Sequence, residues 1–451
     1  MDSKNNCSFQ SLTENVGRMS FGRKTLLLPQ MNPVLAHLFA ATSRAFDVKA
    51  TVMDTYKGLD LGMQCTSGKE CYPCQVTMGD ILYHLKEEQK RLGAAFNPDD
   101  YLYFMPESDG PCRFGMYNKY QRIVLDSFPG LARVKIASIT ARDAYSMAGT
   151  VDPRRARDFR KALYFSAVVA DILERFLWRI RPYEREPGMA DDFIARAVDV
   201  MGRAFETYAG RLKFEKILDR LAEVVGEGKT VIDPRIPPRP LIGMVGEIYL
   251  RTHVHANQDL IRVLERYGAE VVNASTAEWV NYVSYEGLRI AKRELRLALK
   301  RLRLRLIAES LRRLLDFGLD LLYKQYVQGK TYRRVKPIID LAEDHKVAHL
   351  TEVLEEEDVF TFDVTTEACL SIAAILDYTR SGYNGAVNVY PFTCMPSMTT
   401  SAIVKPLMNR QRFPYLDVPC DSSVQPSREA AIRTFMYQAH QHHARHGRKR
   451  F

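Results

Sequence analysis

The chain has 451 residues, 46% apolar and 26% charged, with eight cysteines and a formal net charge of +10. That length exceeds a single hydrophobic core and implies two or three domains of ordinary soluble, globular composition. No run approaches the roughly 18 consecutive apolar residues of a membrane helix. The opening Met1 to Cys7 lacks the apolar core of a signal peptide, so a cytoplasmic protein with reduced cysteines and no membrane association is expected.

The positive charge is local. Between Arg289 and Arg313 ten Lys/Arg face two acids, a net +8, and Arg445, Arg448, Lys449 and Arg450 add +4 near the end. The remainder is close to neutral, which argues against nucleic-acid binding.

In chain order, residues 1–22 read as a flexible leader. Lys24-Thr-Leu-Leu-Leu-Pro is a buried strand, Pro33 to Ala41 a helix, and Val48 to Met53 a second strand. A cysteine loop follows, with a helix from Gln75 behind it. Tyr101 to Pro106 and Val134 to Ile139 are further strands. Strands alternating with helices of about ten to fifteen residues imply βαβ units and a parallel sheet, here over 23–150. Residues 151–230 carry only helical periodicity, and 231–240 is a proline-rich linker. The α/β rhythm restarts over 241–440. Leu241 to Gly246, Glu270 to Asn273, Gly385 to Cys394 and Tyr415 to Pro419 read as strands, with a helix from Asn257 to Tyr267, a long helical insertion over 284–345, and another helix from Ala368 to Thr379. A basic, His-rich tail, 441–451, is expected to be disordered. The expected fold is therefore α/β, two parallel-sheet domains with helical insertions.

Four cysteines lie in loops rich in Gly and Pro at the edges of these elements. They are Cys71 and Cys74 in Thr66-Ser-Gly-Lys-Glu-Cys-Tyr-Pro-Cys, Cys112 in Asp109-Gly-Pro-Cys-Arg-Phe-Gly, and Cys394 in Pro391-Phe-Thr-Cys-Met-Pro. Open parallel sheets bind ligands beyond the carboxyl ends of their strands, which would let these distant residues meet. Three chemistries fit. A thioredoxin-like pair would exploit the helix N-terminus to hold a thiolate, but it leaves Cys112 and Cys394 unused. Structural zinc wants four ligands, usually as two close pairs. An iron–sulfur cluster can draw its thiolates from scattered loops. Cys7, Cys369 and Cys420 read as incidental thiols, and Cys65 as a spare ligand.

These blocks, with Gly246-Glu-Ile-Tyr-Leu-Arg and Asn388-Val-Tyr-Pro-Phe-Thr-Cys-Met-Pro, resemble in order the C-terminal region of acyl-CoA dehydratase activase-related proteins. That region is similar to the iron–sulfur subunits of 2-hydroxyacyl-CoA dehydratases and to double-cubane cluster proteins. The resemblance covers roughly residues 24–440. It implies flavodoxin-like domains with a cluster at the cleft between them, a 4Fe–4S cluster with a double-cubane as the alternative. It implies Cys71, Cys112 and Cys394 as ligands, with Cys74 completing four thiolates or leaving one iron open to substrate. It also implies a separate ATP-dependent activase that delivers low-potential electrons, an acyl-CoA substrate, and a homo- or heterodimer. No actin-like ATPase domain of the kind the large relatives carry and no Gly-rich P-loop is found in the sequence, so ATP hydrolysis is expected from another protein, or not at all. The function expected is that of a reductase or dehydratase-like component, with a non-catalytic electron carrier or scaffold as the alternative.

Among the remaining candidates, Glu247 is either an acid/base or a cap on the turn after its strand. Arg113 and Arg251 are candidates for binding the cofactor or an anionic substrate. Glu70, Ser67 and Lys69 surround the Cys71 motif, as donors to sulfide or as helix caps. For the basic stretch 291–313, the plain expectation is a solvated helix face with its leucines buried. Docking of an acidic partner or of the CoA phosphates is the alternative.

Overall fold

A computed structural model describes residues 9–448. Two parallel sheets form the frame. The first contains β1 (Val16–Gly17), β2 (Thr25–Leu28), β3 (Ala50–Val52), β4 (Tyr101–Phe104) and β5 (Lys135–Ala137), in the order β1-β5-β4-β2-β3. The second contains β6 (Leu241–Gly246), β7 (Glu270–Asn273), β8 (Gly385–Pro391) and β9 (Tyr415–Cys420), in the order β7-β6-β8-β9. Every pairing is parallel, including Leu26 against both Ala50 and Leu102, and Met244 against both Asn273 and Val387. The central strands are buried along their whole length, as parallel strands covered on both faces must be.

The strand order reverses direction at the same place in both sheets. From β2 the chain steps outward to β3 and then returns to the other side at β4; β6, β7 and β8 repeat the move. The crevice outside the carboxyl ends of β2 and β4, and of β6 and β8, is the topological switch point where such sheets bind ligands.

Helices α2 (Pro33–Ala45), α6 (Ala156–Ile180), α7 (Met189–Tyr208) and α8 (Phe214–Gly228) share the largest core cluster with the first sheet. Helix α2 begins where Asn32 accepts from the Leu35 amide at 2.8 Å with Pro33 behind it, a strong start signal. Between β7 and β8 run α10 (Thr276–Lys300), α11 (Leu304–Val335), α12 (Val347–Glu357) and α13 (Glu367–Arg380). The helical segment is tied to this second unit through Asp171, whose carboxylate accepts from the Thr276 and Ala277 amides at 2.9 and 2.8 Å and so caps α10.

Three expectations fail. Residues 9–17 are not a loose leader: α1 (Phe9–Glu14) leads into β1, which hydrogen-bonds along β5 and fills the outer edge of the first sheet. The tail is helical as far as His446, within α15 (Arg428–His446), and Arg448 is fixed by Glu270 and the Tyr183 hydroxyl. Its last three residues, like Cys7, lie outside the described residues. The leucines of the basic stretch are not buried. Helices α10 and α11 form a hairpin whose tip projects past the cores, leaving Leu302 and Leu304 about four-fifths exposed.

Candidate metal centre

Three of the four motif cysteines line one cavity of about 170 Å³ at the switch points of both sheets. Each arrives as the N-cap of a helix. Cys71 caps α4 (Tyr72–Leu92), Cys112 caps a short 3-10 turn over Arg113–Met116, and Cys394 caps α14 (Met395–Gln411). The first turn of α13, with Thr366 as its N-cap, supplies a fourth helix start on the same wall. Helix N-termini carry partial positive charge and unpaired amides. The four together favour an anionic occupant.

Backbone strain presents two of the thiols. Cys71 has φ 101° and ψ 140°, and Thr393, next to Cys394, has φ 64°. Residues with a Cβ rarely occupy such conformations, and those that do cluster at functional sites. Gly110 lets the Cys112 loop approach the other half of the molecule: its φ is +88°, and a Cβ there would stand 2.7 Å from the Thr365 carbonyl oxygen.

Arg113 stitches the three loops together. From its place beside Cys112 it donates to the Lys69 carbonyl, two residues before Cys71. It also donates to the Thr393 carbonyl at 2.8 Å, one residue before Cys394. Its fork thus bridges the two sheets' loops, a geometry that the point charge of a lysine does not reproduce.

The sulfurs meet hydrogen-bond donors. The Phe114 amide donates to the Cys112 sulfur at 3.5 Å. The Tyr117 hydroxyl faces Cys71, and the Ser397 amide and hydroxyl face Cys394, each favouring thiolate. Burial nevertheless dominates. It pushes the Cys71 thiol up to about 12 and the Cys112 thiol to about 11, and raises Cys394 as well. Cys112 lines the cavity and is exposed as a residue. A redox-active CxxC pair needs the opposite shift, a thiol lowered at its helix N-terminus.

Cys74 stands apart. It lies in the first turn of α4, fully buried in one core cluster with Met78, Leu82 and Tyr103, and does not line the cavity. Cys65 ends α3 (Leu59–Gln64) away from the cavity, with its carbonyl taken by the Tyr120 hydroxyl. Cys369 lies inside α13 and donates to the Val364 carbonyl at 2.9 Å. Glu70 is occupied by the Ser67 amide and hydroxyl. Among the described residues no three of His, Cys, Asp and Glu stand close enough to hold a single metal ion.

Two carboxyls face the thiols. Glu247 follows Gly246, whose φ of +115° and contact with the Val389 carbonyl, 2.0 Å from where a Cβ would stand, admit only glycine. Both Glu247 oxygens are spent on the Tyr249 and Leu250 amides, at 3.0 and 2.9 Å, so the carboxyl caps its turn. Burial raises its pKa. Glu367, which sequence reasoning missed, has no hydrogen bond to Oε1; its nearest cation is Arg251 at 3.9 Å. Burial, with Glu247 and Glu278 adding to it against Arg251, pushes Glu367 up to about 8. The shift favours the protonated form, and the side chain lines the cysteine cavity. Arg251 stands behind Glu367 and does not line the cavity.

No protein-family model matches the chain, and no curated protein matches it. Among the described residues no helix is long and apolar enough to cross a membrane.

Proposed function

We propose that Cys71, Cys112 and Cys394 hold an iron–sulfur cluster, and that the protein is a reductase or dehydratase-like component of the 2-hydroxyacyl-CoA dehydratase and activase-related type. The observation that carries the reading is the meeting of three N-cap thiols from both sheets on one cavity that the Glu367 carboxyl also lines. Such a cluster supplies single electrons at low potential and, where one iron lacks a protein thiolate, a Lewis-acid position. Arg113 holds the three loops in register, and the four helix starts offset the negative charge. Glu367 supplies a proton to a substrate atom in the cavity, while Glu247 keeps its own turn closed.

The placement of Cys74 outside the cavity favours three thiolates and a catalyst over a four-thiolate electron carrier. In this reading electrons come from a separate ATP-dependent activase. Anaerobic purification, iron and sulfide analysis and low-temperature EPR of the reduced protein test it. Iron and acid-labile sulfide in equal amounts, with an EPR signal that changes when cyanide is added, are expected. Zinc without iron would remove the reading, and a cluster indifferent to cyanide would return it to a closed carrier.

A further inference from the structure

A second cavity of about 240 Å³ adjoins the first and shares Phe114, Tyr249 and Trp279 with it. It lies between the carboxyl edge of the first sheet and helices α2 and α6, and its walls are hydrocarbon: Leu35, Phe39, Phe104, Ile139, Leu163 and Ala167. A cavity of roughly 150 Å³ with such walls is already large enough to bind benzene.

The polar groups on the wall are nearly all spent. Asn32 donates to Glu174 at 2.9 Å and accepts from the Leu35 amide. The Tyr164 hydroxyl donates to Asn281 at 3.0 Å. Lys324 uses its three donors on Asp320, Ser284 and the Val280 carbonyl. Arg160 is bound to Asp320 and to the Ala144 carbonyl. One donor remains. Tyr145 accepts from the Trp279 indole at 3.1 Å, and its own hydroxyl proton has no acceptor among the described residues. Two consecutive left-handed residues, Ala144 at φ 51° and Tyr145 at φ 58°, present it there, a backbone cost that ordinary turns avoid.

We propose that this chamber binds an uncharged, hydrocarbon-bodied molecule carrying one hydrogen-bond acceptor, a ketone, aldehyde or ester oxygen, which takes the free Tyr145 proton. An anion would have to shed its water against hydrocarbon walls, where Arg160 and Lys324 already hold Asp320, and the same walls offer nothing to a nucleotide. The inference goes beyond the cysteine site and does not depend on what the thiols hold.

Calorimetric titration of the full-length protein with acetophenone, ethylbenzene and benzoate, three molecules of nearly one shape, tests it. Acetophenone should bind about 3- to 10-fold more tightly than ethylbenzene, the worth of one hydrogen bond, and benzoate at least tenfold more weakly than either. Tyr145→Phe should erase the preference for the ketone and leave ethylbenzene binding unchanged. That variant also deprives Trp279 of its acceptor, so its fold is checked by circular dichroism, and the comparison in the unaltered protein stands by itself. Ala167→Leu, which fills the chamber, should weaken both neutral ligands. Binding of neither neutral ligand, equal binding of the two, tighter binding of benzoate, or a ketone preference that survives in Tyr145→Phe would each overturn the proposal. The same titration of Cys71→Ser should be unchanged, which separates the chamber from the metal reading.

Discussion

Replacing Cys71 by glycine and by alanine measures how far the backbone is bent to present a thiol. Cys71 and Cys394 are matched sites: both are N-caps, both are 6% exposed, and both precede a proline in the first helical turn. They differ in conformation, with φ 101° at Cys71 and φ −67° at Cys394. The glycine-against-alanine difference at Cys394 contains the N-cap preference and the unfolded-chain entropy, and nothing from strain. At Cys71 the same two contributions recur, together with relief of a conformation that costs a residue with a Cβ about 1–3 kcal/mol. Cys71→Gly should therefore gain on Cys71→Ala by about 1–3 kcal/mol more than Cys394→Gly gains on Cys394→Ala. Urea denaturation of the four metal-free variants, followed by far-UV circular dichroism, reads the difference. Equal differences at the two sites would refute the idea that strain presents the Cys71 thiol.

Three further outcomes are expected. Arg113→Ala should lower the iron content of protein purified anaerobically, and Arg113→Lys should not restore it, because one ammonium cannot hold the Lys69 and Thr393 carbonyls in the guanidinium's fork geometry. Glu367→Gln should remove a protonated-carboxyl band from the infrared spectrum, a band that in the wild type disappears as pH rises through about 8. The third concerns His345, which burial alone would lower; hydrogen bonds to Asp377 and Glu278, at 3.2 and 3.3 Å, outweigh that and hold it up to about 9. A folded-state pKa above the unfolded value near 6.5 gives stability that is full below about pH 6.5 and lost as pH climbs through about 9, a span worth about 3 kcal/mol. Denaturation midpoints should fall across that window, and His345→Asn should flatten the slope.

Much of the frame is legible in the sequence because buried parallel strands leave continuous apolar runs, such as Leu26 to Leu28 and Leu241 to Val245. The two-residue β1 leaves no such trace: its place at the sheet edge follows from pairing with β5, not from its own pattern. The three cavity cysteines could be found because each sits at the edge of an expected element, Cys112 and Cys394 after strands and Cys71 before a helix, in a loop carrying Gly or Pro. Cys74 shares that local context, and only the turn of α4 directs it into the core. Glu367 was hidden for a related reason. An acid at a helix start is ordinary, and what sets it apart is burial against Glu247 from another segment of the chain. The exposed leucines at the α10–α11 tip read as a buried face because periodicity reports which residues share a face, and says nothing about whether a neighbour covers it.

Iron and sulfide analysis of the four single Cys→Ser variants, purified anaerobically beside the wild type, tests the centre most directly. Cys71→Ser, Cys112→Ser and Cys394→Ser should each lose most of the iron, while Cys74→Ser keeps it together with the wild-type EPR signal. Loss of the cluster in Cys74→Ser, or its retention in any of the other three, would contradict the three-thiolate centre.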